Sequence, residues 1–178
     1  LCILGENLPN NETEAVIDLA FGLLKGEKTD FILQKTTELG VHALFPFISR
    51  RTVARPEKKL EKRQQRWQKI VDAAAAQAKR SYIPKVYTPS YWPELIQQFA
   101  AYEQVVVFWE KETKQSLKDV LSHLNTKTRI LLITGPEGGL DREEVEAAAA
   151  AGAKTVTLGP RILRAETAPL YVLSAISV

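Results

Sequence analysis

The residues best suited to chemistry fall in two glycine-bearing stretches near the end of the chain. Gly135-Pro136-Glu137-Gly138-Gly139-Leu140 follows an apolar run, Arg129 to Thr134, and precedes a helix start at Asp141. Glycines at 135, 138 and 139 let backbone N–H and C=O groups come close to a ligand. The helix N-terminus that follows favours partial negative charge or a hydrogen-bond acceptor. Leu158-Gly159-Pro160-Arg161-Ile162-Leu163-Arg164-Ala165-Glu166-Thr167-Ala168 sets two arginines and a glutamate between a β-branched run, Lys154 to Leu158, and an apolar run, Pro169 to Val178. Gly159-Pro160 stops both strand and helix there. Ile162-Leu163 between the charges is unusual for a solvated turn. The stretch therefore reads as a loop folded back against the protein, facing a ligand.

A third stretch, Phe108-Trp109-Glu110, closes the apolar run Gln104 to Trp109. In an open parallel sheet, ligands bind outside the carboxyl ends of strands, and all three stretches fall there. Together they predict a small-molecule site built largely from backbone. Taken alone, Gly-Pro-Glu-Gly-Gly reads equally well as a tight turn. No Gly-Lys-Ser/Thr is present, which excludes a P-loop. No Gly-x-Gly-x-x-Gly follows a strand, so a dinucleotide fingerprint is unsupported. His42, His123 and Cys2 make no zinc set, and no Ser/His/Asp arrangement follows from spacing. Trp67, Trp92 and Trp109 read as core or rim packing rather than base-stacking platforms.

These stretches must be positioned by alternating helix-like and strand-like runs, which predict an α/β fold with a mostly parallel sheet and helices on both faces. The expected strands are Glu14 to Leu24, Val41 to Ile48, Lys85 to Thr88, Gln104 to Trp109, Arg129 to Thr134 and Lys154 to Leu158. Pro46 argues that the second of these ends there or lies at an edge. The expected helices run from an N-cap at Asp30 to Leu39, from Pro93 to Ala101, from Leu117 to Leu124, and from a capping box at Asp141 and Glu144 to Gly152. The 178 residues, 45% hydrophobic, suffice for one well-cored domain. No apolar run approaches the roughly 20 residues of a membrane span, and no signal-peptide pattern opens the chain. A single cysteine fits a reducing, cytoplasmic setting. The net charge of +3 is too mild to argue for nucleic acid by itself. Between Ser49 and Arg80, however, basic residues far outnumber acidic ones, and Trp67, Ile70, Val71, Ala74 and Ala78 recur at helical spacing. The basic face of that helix is read as solvated or as contacting phosphates.

In order and separation, Gly135 to Gly139 followed by Leu158 to Ala168 resembles the RsmE family of ribosomal RNA methyltransferases. Lys25-Gly26 through Gln34-Lys35, Glu38 to Val41, and Gln77-x-Lys79-Arg80 before Pro84 agree. The resemblance spans about residue 15 to the end. It implies the SPOUT class, an α/β fold with a C-terminal trefoil knot, working as a homodimer through the knot region. S-adenosylmethionine is then the expected cofactor. Its expected contacts are Phe108, Trp109, Glu110, Thr134, Gly135, Pro136, Glu137, Gly138, Gly139, Leu158, Gly159, Ile162, Leu163, Arg164, Thr167 and Ala168. The implied activity is methylation of N3 of a uridine in small-subunit ribosomal RNA, with no metal and no membrane partner. Residues 1–13 are expected to be a linker, or the remnant of an N-terminal RNA-binding domain of the PUA-like kind. Residues 14–178 are expected to be the methyltransferase domain.

Roles follow from that implied reaction. Arg161 or Arg164 would stabilise negative charge developing on the uracil oxygens. Glu166 or Glu137 is a general base or an orienting group, and for Glu137 the orienting role is favoured. The base must be unpaired or flipped out. Arg50, Arg51, Arg55, Lys79 and Arg80 are the expected phosphate contacts. A non-enzymatic RNA-binding or ribosome-assembly module that keeps the fold is the alternative; intact glycine loops favour a cofactor-using protein.

Overall fold

The computed structural model describes residues 12, 15–54, 60–121 and 128–176. The long apolar runs rich in β-branched residues form the central strands, and shorter segments pair along the edges. These are β1 (Val16–Gly22), β2 (Ala43–Ile48), β3 (Lys85–Val86), β4 (Ser90–Tyr91), β5 (Gln104–Phe108), β6 (Arg129–Thr134) and β7 (Lys154–Val156). All pairings are parallel, in the order β3-β2-β1-β6-β5-β7, with β4 pairing the far end of β2. The connecting helices are α1 (Lys28–Glu38), α2 (Leu60–Gln77), α3 (Trp92–Ile96), α4 (Leu117–Leu121), α5 (Arg142–Ala150) and α6 (Thr167–Ile176).

Side chains alternate across the sheet, so each strand feeds two cores. Ile17, Leu19 and Phe21 of β1 and Ile130 and Leu132 of β6 face α1, α2, α4 and α6. Ala20, Leu131, Ile133, Val105 and Val107 face α3 and α5. Helices thus cover both faces, as the alternating pattern predicts. Trp67 of α2 is fully buried in the first core; its replacement by alanine should cost roughly 3–5 kcal/mol. Trp92 is buried in the second, where its indole N–H donates to Glu144 C=O (3.1 Å).

Local expectations are corrected in several places. Helix α1 is N-capped by Glu27, not Asp30. Asp30 sits in the first turn and holds Arg66 of α2 through two hydrogen bonds of 2.7 and 2.8 Å. Pro46 lies inside β2, paired with Phe21 on the β1 side. On the other side β3 covers Ala43 and Leu44 and β4 covers Phe47 and Ile48. The missing proline N–H falls opposite the break between them, so no ladder bond is lost. The helix expected from Pro93 to Ala101 divides into α3 and a 3₁₀ turn at Phe99–Ala101. Strand β4 carries no periodic pattern and was not expected. His123 and the end of the helix expected to reach Leu124 lie outside the described residues, as do most of residues 1–13.

Candidate functional site: a cleft at the strand carboxyl ends

Strands β1, β6, β5 and β7 lie side by side, and the loops leaving their carboxyl ends enclose a cleft of about 870 Å³. The expected cofactor contacts come together there: Phe108 to Glu110 after β5, Thr134 to Gly139 at the end of β6, and Leu158, Gly159, Ile162 to Arg164 and Ala168 after β7. Arg161 and Glu166 line it as well. Thr167 does not; it opens α6, and its N–H donates to Arg164 C=O (2.9 Å).

The glycine loop owes its shape to close backbone approach. A Cβ on Gly22, the last residue of β1, would lie 2.3 Å from Pro136 N and 2.5 Å from its Cδ. Only glycine lets β1 touch this loop. Gly139 adopts φ +68, and its N–H closes a turn on Pro136 C=O (2.8 Å). The loop then enters α5 through the expected capping box. Asp141 accepts from Glu144 N–H (2.9 Å), and Glu144 accepts from Asp141 N–H (3.1 Å). Glu144 also accepts from the backbone N–H of Arg50 (2.8 Å), pinning the β2–α2 loop beside the cleft.

The floor and rim carry polar groups in two states. Trp109 is held at the rim, its indole N–H donating to Leu140 C=O (3.3 Å) and its backbone N–H to Val156 C=O (3.0 Å). Glu112 is satisfied: Thr155 donates its hydroxyl (2.7 Å), and the backbone N–H of Lys114 adds a second bond (2.7 Å). The Thr155 bond above all holds the Glu112 carboxyl below its usual range. Thr134 is the opposite case, because its hydroxyl is buried and has no hydrogen-bond partner. A buried polar atom left unpaired beside a cleft is available to a ligand atom.

Charge collects around the mouth. Lys28, the first residue of α1, puts its ammonium 3.8 Å from Glu137 and 3.5 Å from Glu166. The backbone N–H of Lys25 also donates to Glu137 (3.2 Å). Lys28, Glu112, Thr113 and Thr157 line the cleft and were missed in the sequence. Applying the strand-end rule to the first strand as well as the last three would have reached Lys28. Ile162 is corrected. It is 85% exposed, so the loop does not fold this residue back on its own chain.

The expected phosphate contacts are not one patch. Arg51 is exposed beside the cleft and donates to Gly138 C=O (3.3 Å). Arg50 is exposed but already paired with Glu143 and Asp141. Lys79 is exposed, with φ 54. Arg80 is corrected: its side chain is only 6% exposed. It donates to Thr37 C=O (2.9 Å) and Val41 C=O (2.7 Å) and pairs with Glu12. It fastens the end of α1 to the start of β2, at the amino ends of the strands, away from the cleft. Arg55 lies outside the described residues. Among the described residues no group of three or more His, Cys, Asp or Glu could hold a metal ion. No described helix is long and apolar enough to cross a membrane.

The same architecture occurs in the A. aeolicus TrmH/SpoU tRNA-modifying enzyme, at a TM-score of 0.55 and 13% identity over 94% of this chain and 76% of that one. That likeness is of fold alone. The RNA methyltransferase domain family matches residues 11–177, which sets the class of the fold and its cleft. Ribosomal RNA small subunit methyltransferase E of Bacillus subtilis is 42% identical over 173 residues, 94% of this chain and 68% of that protein. The crystal structure of a ribosomal RNA small subunit methyltransferase E from Neisseria gonorrhoeae, bound to S-adenosyl methionine, aligns with a TM-score of 0.86. It is 34% identical, over 97% of this chain and 70% of that one. This chain belongs to the ribosomal RNA small subunit methyltransferase E family.

Proposed function

We propose that this chain transfers a methyl group from S-adenosylmethionine to small-subunit ribosomal RNA, at N3 of a uridine. The observation that carries this is the cleft itself. Backbone-rich loops converge at the carboxyl ends of adjacent parallel strands, with the buried Thr134 hydroxyl unpaired at its floor. Family membership supplies the reaction class.

The residues present fit such a cofactor. Gly135 to Gly139 and Leu158 to Gly159 offer main-chain donors and acceptors, Thr134 offers its hydroxyl, and Phe108 and Trp109 offer apolar surface. When bound, the cofactor supplies an electrophilic methyl on a sulfonium. The protein's task is to orient the uracil for in-line attack and to exclude water. Arg161 and Arg164 line the cleft as the cations available to uracil oxygens as N3 loses its proton. Glu166 and Glu137 are the carboxylates within reach. Glu137 is already engaged by the Lys25 N–H, which favours an orienting role for it and leaves Glu166 as the better base.

The rest of the reading concerns assembly. The chain works as a homodimer through the region of the β7–α6 loop, which would cover the exposed Ile162. That region forms the trefoil knot of the SPOUT class. Residues 1–13 are a linker or the remnant of an N-terminal RNA-binding domain, residues 14–178 are the catalytic domain, and the protein acts in the cytoplasm, where its ribosomal substrate is found. Arg51 and Lys79 are the exposed cations that would meet RNA phosphates.

The test is incubation with unmodified small subunits and labelled S-adenosylmethionine, followed by nucleoside mass spectrometry. N3-methyluridine is the expected product. Transfer to another position would replace the target, and no transfer by a protein that binds the cofactor would favour the non-enzymatic alternative. Sedimentation of the free protein tests the dimer.

A further inference from the structure

We infer that Lys28 is a positioning residue of the cleft, tying the glycine loop to the arginine loop through Glu137 and Glu166. The inference rests on the cofactor reading above. The two loops leave β6 and β7, which are not neighbours, because β5 lies between them. No ladder hydrogen bond can therefore set the width of the cleft at this point. Lys28 comes from the other side, at the start of the helix that follows β1, and its ammonium reaches one carboxylate on each loop.

Three observations make this more than a surface ion pair. First, Glu166 Oε2 is buried and has no hydrogen-bond partner, so the ammonium at 3.5 Å is what offsets its charge. Second, both distances exceed the roughly 2.8 Å of a charge-assisted hydrogen bond. One cation therefore spans two acceptors instead of committing to either. Third, a lysine at the first position of a helix opposes the helix dipole. Sequences break such local rules mainly at functional positions. The two carboxylates remove the conflict. Glu27, the N-cap, and Asp30, committed to Arg66, are the other acids on this end of α1. Neither pairs with Lys28 among the described residues.

The test is calorimetric titration of S-adenosylmethionine, without RNA, into the wild type, Lys28→Met, Lys28→Gln, Lys28→Arg and Asp30→Asn. Lys28→Met and Lys28→Gln should each bind about tenfold more weakly, and Lys28→Arg should recover most of the loss. Asp30→Asn breaks an ion pair of the same helix away from the cleft; it should lower the melting temperature and leave affinity unchanged. In a cycle with Glu166→Gln, the double variant should bind no more weakly than the worse single variant. Hydrogen exchange of the free protein should rise together at residues 135–139 and 159–166 in Lys28→Met. Wild-type affinity in Lys28→Met, additive losses in the cycle, or faster exchange in one loop alone would each overturn the inference. A wild type that binds no S-adenosylmethionine would instead sink the cofactor reading.

Discussion

Thr134 is where folding and binding pull apart. Its hydroxyl is buried and unpaired, which costs the free protein about 1–3 kcal/mol. Thr134→Val keeps the shape and removes the hydroxyl. The variant should melt higher than wild type without ligand, yet bind S-adenosylmethionine about tenfold more weakly, the loss of roughly one buried hydrogen bond. Thermal melts with and without cofactor check both halves; equal melting and equal affinity would mean that water satisfies the hydroxyl. Arg80 argues in the opposite direction, because its value is entirely structural. Burial alone would raise the Glu12 carboxyl, but the Arg80 hydrogen bond and charge outweigh it, and the group sits below the usual 4.5. A carboxyl lowered on folding adds stability above its unfolded pKa and loses it as pH falls through the folded value. Wild type should lose stability as pH drops below 4.5, and Glu12→Gln should make that loss shallower. Arg80→Met, which strands Glu12 and two carbonyls, should cost roughly 3 kcal/mol at neutral pH. Urea unfolding across that range measures both.

Among the elements, the contact between the end of β1 and the glycine loop sets the shape of the cleft. Gly22→Ala would drive a methyl into Pro136 backbone, which cannot swing aside as a flexible side chain would. It should cost about 1–3 kcal/mol and reduce cofactor affinity, because Pro136 lies between Thr134 and the turn at Gly139. Unchanged affinity with lowered stability would show that the loop relaxes without moving the cleft. This contact also marks how far the sequence could be read. The long strands were legible because their apolar runs are continuous, and the start of α5 because Asp141 and Glu144 spell its cap. Two of the cleft loops were legible because glycine and proline interrupt those runs at strand ends, and the third because Glu110, Lys111 and Glu112 end its run. Strand β4 and Lys28 were not, since neither carries a local pattern: β4 exists only because β2 offers an edge, and Lys28 matters only because two later loops meet it. Pro46 misled, because a proline inside a strand is tolerated where two short neighbours leave a gap. Ile162 misled, because its apolar surface finds no partner within one chain.

At the scale of the whole molecule, the cations expected to meet RNA sit at opposite ends of the strands and are in different electrostatic states. Arg51 stands beside the cleft and, among the described residues, has only a carbonyl as partner. Lys79 is exposed as well. Arg50, one residue from Arg51, is countered by Glu143 and Asp141, so a phosphate gains little from it without first displacing an acid. Arg80 is buried at the amino ends of the strands, with its guanidinium already engaged by Glu12, Thr37 and Val41. Counterion release makes this difference measurable, because each phosphate neutralised contributes close to one unit to the slope of log affinity against log salt. Arg51→Gln and Lys79→Gln should each flatten that slope by about one unit, and together by about two. Arg50→Gln should change it by much less. Equal flattening by Arg50→Gln and Arg51→Gln, in filter binding of small-subunit RNA over a salt series, would show that RNA displaces the α5 carboxylates. The path of the RNA would then run over the N-terminus of α5 as well as across the cleft.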